Sequence, residues 1–342
     1  MKSPEGIFCV GVDHHTTPLA VRESLVALAG DRLTPHLIEH GGAEEVVYLS
    51  TCNRVEIYGR SEFRGPEIVE ILRRAMPHKL GFAWQEARGV YLHEGIACWR
   101  HLAEVATGLR SMVMGEGEIL AQVRTAYQSS RELGGTRKGM HVLFQSCLRA
   151  ARAARRMAGF GQGDPSVGRC AAEVASQILS FPESDRIMIL GSGHTARSFA
   201  LAARDGGMKS CFISSRSTER AQLLARELKG HCVPWEDWAS TAFSMTMLVS
   251  ALSGGELFWG SRGSLPELRL MVDLGVPRTL TQLRQSNPQA ISLDLEELAK
   301  RSEVQPEALG AIHRAEEILR KHESLFAWGR SLEGKETLVE KE

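Results

Sequence analysis

The chain has 342 residues, 43% hydrophobic and 24% charged, with 41 basic and 41 acidic side chains and therefore no formal net charge. That length predicts two or three domains, and neutrality excludes a global electrostatic grip on nucleic acid, leaving only a local basic patch for that purpose. No apolar run approaches the roughly 18–20 residues needed to span a bilayer. The run at 7–12 is broken by Asp13, His14 and His15 too soon for a secretory signal.

Seven scattered cysteines with no C-x-x-C pair read as reduced thiols of a cytoplasmic protein. His14 and His15 beside Asp13 suggest a metal, but adjacent residues on a strand would point to opposite faces. No metal site is expected.

In chain order, residues 7–12 read as a buried strand and 18–29 as a helix carrying Arg22 and Glu23. Two β-like runs, 46–49 and 55–58, flank Ser50-Thr51-Cys52-Asn53-Arg54. This tight connection displays a thiol beside a guanidinium. A neighbouring cation lowers a thiol's pKa, and arginine can fork onto a carboxylate, which suits covalent attack on a carboxylate-bearing substrate. A polar turn with an incidental cysteine fits the segment equally well. Residues 67–75 read as a helix and 90–92 as a strand.

From Ala97 the pattern turns helical. Trp99, Leu102, Val105, Ala106 and Leu109 recur at helical spacing, as do Ile119, Leu120, Val123, Ala126 and Tyr127 after the Gly115 and Gly117 interruption. A third helix, 141–157, gathers Arg149, Arg152, Arg155 and Arg156 toward its end. Cations there complement the helix dipole. They also form the best anion patch of the chain, open to nucleic acid.

Residues 159–168, rich in glycine, mark a linker and domain boundary. Beyond them come a strand at 186–190, a glycine turn, a helix at 197–203, a strand at 210–214, a helix at 218–228 and strands at 245–250 and 270–274. This alternation predicts a parallel doubly wound sheet. Gly191-Ser192-Gly193-His194-Thr195-Ala196 fits G-x-G-x-x-G/A between strand and helix. Gly191 permits the tight turn, Gly193 lets the backbone approach a pyrophosphate, and Ala196 allows close helix–strand packing. The helix N-terminus adds amide donors. An NAD site would end the next strand on an acidic residue. Here it ends Ser214-Ser215-Arg216-Ser217, which suits a 2′-phosphate and NADP(H); a nucleotide-free structural domain is the alternative. Residues 306–330 read as a helix and the last dozen as frayed.

A reactive-cysteine domain joined to an NADP-type Rossmann domain suits thioester reduction. Several segments in order make the chain resemble the glutamyl-tRNA reductase family. They are Gly11-Val12-Asp13-His14-His15-Thr16-Thr17-Pro18 with Arg22-Glu23; Ser-Thr-Cys-Asn-Arg at 50–54; the run from Arg100-His101-Leu102 through Gly115-Glu116-Gly117-Glu118 to Gln122-Val123; and Val272-Asp273-Leu274-Gly275-Val276-Pro277-Arg278. Together they cover most of residues 7 to about 330.

The resemblance implies a mixed α/β fold with three parts. These are a catalytic glutamyl-tRNA-binding domain at 1–158, a Rossmann NADPH-binding domain at 159–298, and a C-terminal connecting helix with a shortened dimerisation region at 299–342. It implies that Cys52 takes glutamate from glutamyl-tRNA as a thioester and that NADPH reduces it to glutamate-1-semialdehyde, the first step of tetrapyrrole synthesis from glutamate. His101 would assist proton transfer or polarise the carbonyl, although a helix histidine bonded into the core is its plainer reading. Arg54 would hold the substrate carboxylate, with Thr51, Asn53, Ser111, Glu116, Glu118 and Gln122 lining the pocket. Gly191, Ser192, Gly193, His194, Thr195, Ala196, Ser215 and Arg216 would hold NADPH. Glutamyl-tRNA is the implied partner, and a glutamate-1-semialdehyde aminotransferase would receive the product.

The chain departs from the family pattern at Arg110, where an acidic residue is usual, at Gly168 within Ser166-Val167-Gly168-Arg169, and at Ser250-Ala251-Leu252-Ser253. Its short C-terminus puts the homodimer of the family in doubt. Two other readings stay open: a paralogue using the same chemistry on another acyl donor, and a non-catalytic relative that binds tRNA or a partner.

Overall fold

The computed structural model describes residues 6–28, 33–40, 42–76, 89–160, 166–181, 184–252, 254–301 and 306–339. The chain divides into two units, one of residues 1–164 and 304–342 and one of 165–303.

The first unit is built on β1 (Ile7–Asp13), α1 (Leu19–Leu28), α2 (Leu33–His40), β2 (Glu45–Ser50), β3 (Arg54–Arg60), α3 (Pro66–Ala75), β4 (Tyr91–Glu94), α4 (Ile96–Thr107), α5 (Glu118–Glu132) and α6 (Lys138–Ala158). Its four strands form an antiparallel sheet in the order β2-β3-β1-β4. Alternation along each strand sends side chains to two cores. Phe8, Val10 and Val12 join Val55 and Ile57 on the face covered by α2 and α3. Ile7, Cys9 and Tyr58 face the helices α4 to α6. Arg54 and Glu56 share the phase of Tyr58, so β3 carries two charged groups on the face covered by α4 to α6.

Local chemistry fixes the covering helices. Cys98, Trp99, Leu102, Val105 and Ala106 form the buried stripe of α4, which ends on Gly108 in the left-handed region at φ 89°. The Glu45 carboxylate accepts from the backbone N–H groups of Arg137, Gly139 and Met140 at 2.6, 3.0 and 2.9 Å. It thereby satisfies orphan donors at the positive end of α6. A Cβ at residue 139 would lie 2.4 Å from Glu45 Oε1, so only glycine lets the carboxylate come this close.

The second unit comprises α7 (Val167–Leu179), β5 (Arg186–Leu190), α8 (His194–Asp205), β6 (Ser210–Ser214), α9 (Thr218–Leu228), β7 (His231–Cys232), α10 (Trp238–Thr241), β8 (Met247–Ser250), β9 (Leu270–Asp273), α11 (Thr281–Ser286), β10 (Ile291–Leu293) and α12 (Leu295–Arg301). The six strands are all parallel in the order β7-β6-β5-β8-β9-β10. Numbered within the unit, that is 3-2-1-4-5-6, the dinucleotide-binding arrangement.

Three sequence expectations need adjustment. The stretch expected to be linker at 159–168 already starts α7, because the Ser166 hydroxyl caps it by accepting from Arg169 N at 3.1 Å; residues 161–165 lie outside the described ones. Gly168, a departure from the family pattern, has a packing cause: a Cβ there would stand 2.4 Å from the Thr195 carbonyl oxygen of α8. The C-terminal segment was set apart at 299–342, but α13 (Pro306–Val339) clusters with the first unit. Ala315, Leu319 and Phe326 bury against its helices, Phe326 stacks on Trp99 at 5.7 Å, and Glu323 pairs with Arg100. Its backbone stays helical to Val339 where fraying was expected. Among the described residues no helix is long and apolar enough to cross a membrane.

Candidate active site

The turn between β2 and β3 is closed by Thr51 N donating to Arg54 O at 2.9 Å. The Thr51 hydroxyl accepts from Asn53 N and Arg54 N, each at 3.2 Å, so this side chain builds the turn. Asn53 is buried. Its carbonyl accepts from His14 N at 2.9 Å, while its Oδ1 has no partner among the described residues. From α1, Arg22 donates to the Cys52 carbonyl and, at 3.2 Å, to that of Thr17. Cys52 therefore sits on a turn held from both sides, its residue half-buried.

The expectation that a cation would lower the Cys52 pKa is overturned. Burial pushes the thiol up to about 12, and the carboxylates of Glu116 and Glu118 raise it further against the weaker opposing pull of Arg22. Arg54 cannot help, because its side chain is fully buried and points elsewhere. It donates to Glu56 Oε1 at 2.9 Å and to the Arg110 carbonyl. The guanidinium foreseen as a free fork is thus largely occupied; its Nε alone has no acceptor among the described residues.

Glu56 is the residue that sequence reasoning missed. Its carboxylate is fully buried and accepts from Arg54, from Tyr58 at 2.6 Å, from Tyr91 at 2.6 Å and from His101 Nε2 at 2.8 Å. Burial opposes its charge, but the Arg54 guanidinium and His101 win and hold the carboxyl well below the usual carboxylate range. Burial and Glu56 raise the Tyr58 and Tyr91 phenols, which therefore stay protonated and donate. An ionised carboxylate only accepts, so His101 Nε2 carries a hydrogen and Nδ1, which has no partner among the described residues, is left open. The available signal was an acidic residue inside an apolar strand, two positions from an arginine and so on the same face.

His14 and His15 lie just beyond β1, not on it, and their ring centroids are 3.9 Å apart. The opposite-face argument therefore does not apply to them. Burial brings the His14 imidazole down to about 3. Among the described residues, the ligand atoms that do converge belong to Cys9, Glu56 and His101, all within 4.8 Å of one another. The carboxylate is committed to four donors, and burial keeps the Cys9 thiol far above its ordinary range. This set suits a hydrogen-bonded core better than a cation.

The loop from Gly108 to Gly117 brings in the remaining candidates. Gly115 N donates to Gly108 O at 2.9 Å, and the buried Arg155 of α6 donates through Nη1 to the carbonyls of Thr107, Gly115 and Glu116 at 2.9, 3.1 and 2.8 Å. Ser111 and Glu116 are both buried. Burial brings the Glu116 carboxyl up to about 7, with Glu118 adding to the rise and the Ser111 hydroxyl opposing it. Glu118 opens α5, and Gln122 lies one turn further along the same face. Arg110 pairs with Glu104 at 2.8 Å and touches Arg54 only through its carbonyl. Any residue could supply that carbonyl, so this departure leaves the contact intact.

In the second unit, Gly191 takes φ 116°, and a Cβ there would meet the Ala251 carbonyl oxygen at 2.7 Å. At Gly193 a Cβ would have nothing within 4 Å, so the space above the turn is open to a ligand. Ala196 is fully buried, whereas His194 is exposed and Thr195 partly so at the start of α8. Ser192 donates to Ser215 at 2.9 Å, joining the glycine turn to the end of β6. Arg216 is exposed there, its guanidinium 5.8 Å from the Trp235 ring centre. Asp273, at the end of β9, is a loop anchor: it accepts from the backbone of Gly275, Thr279 and Leu280 at 3.1, 2.7 and 2.8 Å.

Residues 10–158 match the family model "Glutamyl-tRNAGlu reductase, N-terminal domain", and residues 173–300 match "Shikimate / quinate 5-dehydrogenase". The chain is 31% identical over 347 residues to glutamyl-tRNA reductase of Alkalilimnicola ehrlichii, covering 95% of this chain and 75% of the relative. It is likewise 31% identical to that of Akkermansia muciniphila, over 80% of this chain and 83% of the relative. Among solved structures, glutamyl-tRNA reductase from Methanopyrus kandleri aligns with a TM-score of 0.47 at 23% identity, covering 97% of this chain and 80% of that one. Extended sequence identity along both units thus shows that the chain belongs to the glutamyl-tRNA reductase family, a family of nicotinamide-dependent oxidoreductases.

Proposed function

We propose that this protein reduces glutamyl-tRNA to glutamate-1-semialdehyde with NADPH, through a thioester on Cys52. The observation that carries this reading is the setting of that thiol: a rigid, half-buried turn whose strongest charged neighbour is the Glu116 carboxyl, itself brought up to about 7. A thiol at about 12 needs a base. A carboxyl near 7 is matched to accept a proton and return it at neutral pH.

In the first step, Glu116 takes the thiol proton and sulfur attacks the ester carbonyl carbon. A carbon–sulfur bond forms, the bond to the ribose oxygen breaks, and the proton passes to that oxygen as the RNA leaves. Arg54 would set its positive charge against the substrate's side-chain carboxylate, from a buried guanidinium that Glu56 holds and whose Nε alone lacks an acceptor among the described residues. His101, fixed through Nε2, offers Nδ1 as its free ring atom.

The glycine turn fits a dinucleotide pyrophosphate, since Gly193 leaves room for it, and Arg216 with Ser215 and Ser192 suits a ribose 2′-phosphate. NADPH held there would supply a hydride for the thioester carbonyl carbon; the carbon–sulfur bond then breaks, releasing the aldehyde and a Cys52 thiolate that takes up a proton.

Intact-mass measurement after mixing with glutamyl-tRNA tests the two steps separately. Without NADPH the protein should gain one glutamyl group; with NADPH that adduct should disappear and semialdehyde accumulate. Cys52→Ser should abolish both, and full activity in that variant would refute the covalent route.

A further inference from the structure

Where α6 ends, Leu120, Arg152, Arg155, Arg156, Gly159 and Phe160 line a cavity of about 470 Å³. Its three arginines differ in what they do. Arg155 is structural: it is buried, it holds the carbonyls of Thr107, Gly115 and Glu116, and its guanidinium carbon lies 5.6 Å from the Phe160 ring centre. Arg152 and Arg156 are exposed and have no carboxylate or hydrogen-bond partner among the described residues. Elsewhere in the same unit, Arg73, Arg100 and Arg110 are each paired with a glutamate. Arg149, also exposed, extends the pair along the same helix face at i, i+3 and i+7. The helix dipole accounts for cations in the last turn, but Arg149 and Arg152 lie before it.

The cavity therefore combines unpaired guanidinium groups at its rim with an aromatic ring and Leu120 in its wall. Guanidinium groups recognise phosphates, and aromatic faces stack on nucleobases. The cavity also adjoins the substrate loop. A Cβ at Gly115 would stand 3.1 Å from the Phe160 ring, and Arg155 bridges the cavity to the Glu116 backbone.

We propose that this cavity receives the acceptor end of the aminoacylated RNA, with Arg152 and Arg156 on its phosphates and Phe160 beneath a base. The inference rests on the acylation reading above and extends it to how the RNA is held. A net-neutral chain needs such a local patch, because it has no global field to attract a polyanion.

The test compares two acyl donors to Cys52: glutamyl-tRNA and the glutamate α-thioester of N-acetylcysteamine, which carries no RNA. In R152E/R156E, acylation by glutamyl-tRNA at limiting concentration should fall about tenfold or more, while acylation by the small thioester stays within about twofold. The salt dependence of the RNA reaction should also flatten, by about one unit of log–log slope for each phosphate that the variant no longer neutralises. Undiminished acylation by glutamyl-tRNA would overturn the proposal and leave the thioester reading standing. Loss with both donors would make these arginines structural and overturn it as well. Failure of the unmodified protein to acylate with glutamyl-tRNA would instead refute the reading on which the proposal rests.

Discussion

The two candidate sites work by opposite means. Around Cys52 the first unit buries charge: Arg54, Glu56 and His101 are sealed within the fold, and Glu116 is nearly so. The glycine turn of the second unit is open, with empty space above Gly193 and an exposed Arg216 at its edge. Burial shifts pKa values and fixes orientation, which proton and acyl transfer require. Openness at a helix N-terminus leaves room where the helix dipole is positive, which suits a large anionic cofactor that binds and departs. The first site therefore tolerates little change in its supporting residues, whereas the second tolerates little added bulk.

The sharpest way to break this contrast is at Glu56. Glu56→Ala leaves Arg54 buried without a counter-charge, which costs about 3–5 kcal/mol; urea unfolding of the variant should show a loss of that size. Substitution of Arg216 should change stability hardly at all. An unfolding midpoint equal to that of the unmodified protein would mean that Glu56 is not the anchor of the site.

The two glycines of the open site separate next. Gly191→Ala places a side chain at φ 116° and against the Ala251 carbonyl, costing about 1–3 kcal/mol of stability in thermal unfolding. At Gly193→Ala the added Cβ meets nothing in the protein within 4 Å, so stability should hold while NADPH affinity, measured by fluorescence titration, falls. Equal loss of stability in both would erase the distinction between a turn glycine and a ligand glycine.

Glu116 offers a pH test of the buried site. Its carboxyl is brought up to about 7 in the fold. A raised acid contributes stability that is fully present below its ordinary value and lost as pH rises through about 7. Relative to Glu116→Gln, the protein should therefore lose up to about 3 kcal/mol of unfolding free energy between pH 4.5 and pH 8. Single-turnover acylation of Cys52 should rise over the upper part of that range, and Glu116→Gln should remove the inflection.

The smallest effect is expected at Arg216. Arg216→Ala should raise the KM for NADPH about tenfold by removing a charge-assisted hydrogen bond while leaving that for NADH almost unchanged. Equal effects on both cofactors would mean that Arg216 does not read the 2′-phosphate.

Much of the fold was legible because its signals are local. Strand 210–214 and helix 218–228 fell where their periodicity placed them. The glycine turn, its helix and its arginine lie within 26 residues of one another, from Gly191 to Arg216. Helix α2 was less visible, since Pro35 in its first turn and only eight residues weaken the pattern; burial of Leu33 and Leu37 supplies what periodicity lacked. Helix α7 was hidden behind Gly168, which looks like linker but is demanded by the approach of α8.

By itself the sequence determined which residues are candidates for chemistry: a cysteine on a turn, a dinucleotide-type glycine turn with an arginine where an acid would mark NAD, and an arginine cluster ending a helix. Only the tertiary structure decided their state. It raised the Cys52 thiol where a neighbouring arginine suggested the reverse, turned Arg54 inward onto Glu56, and brought the Glu116 carboxylate within electrostatic reach of the thiol. The physical reason is that pKa and hydrogen-bond partners depend on desolvation and on distances between residues far apart in sequence. The order of residues along the chain encodes neither directly.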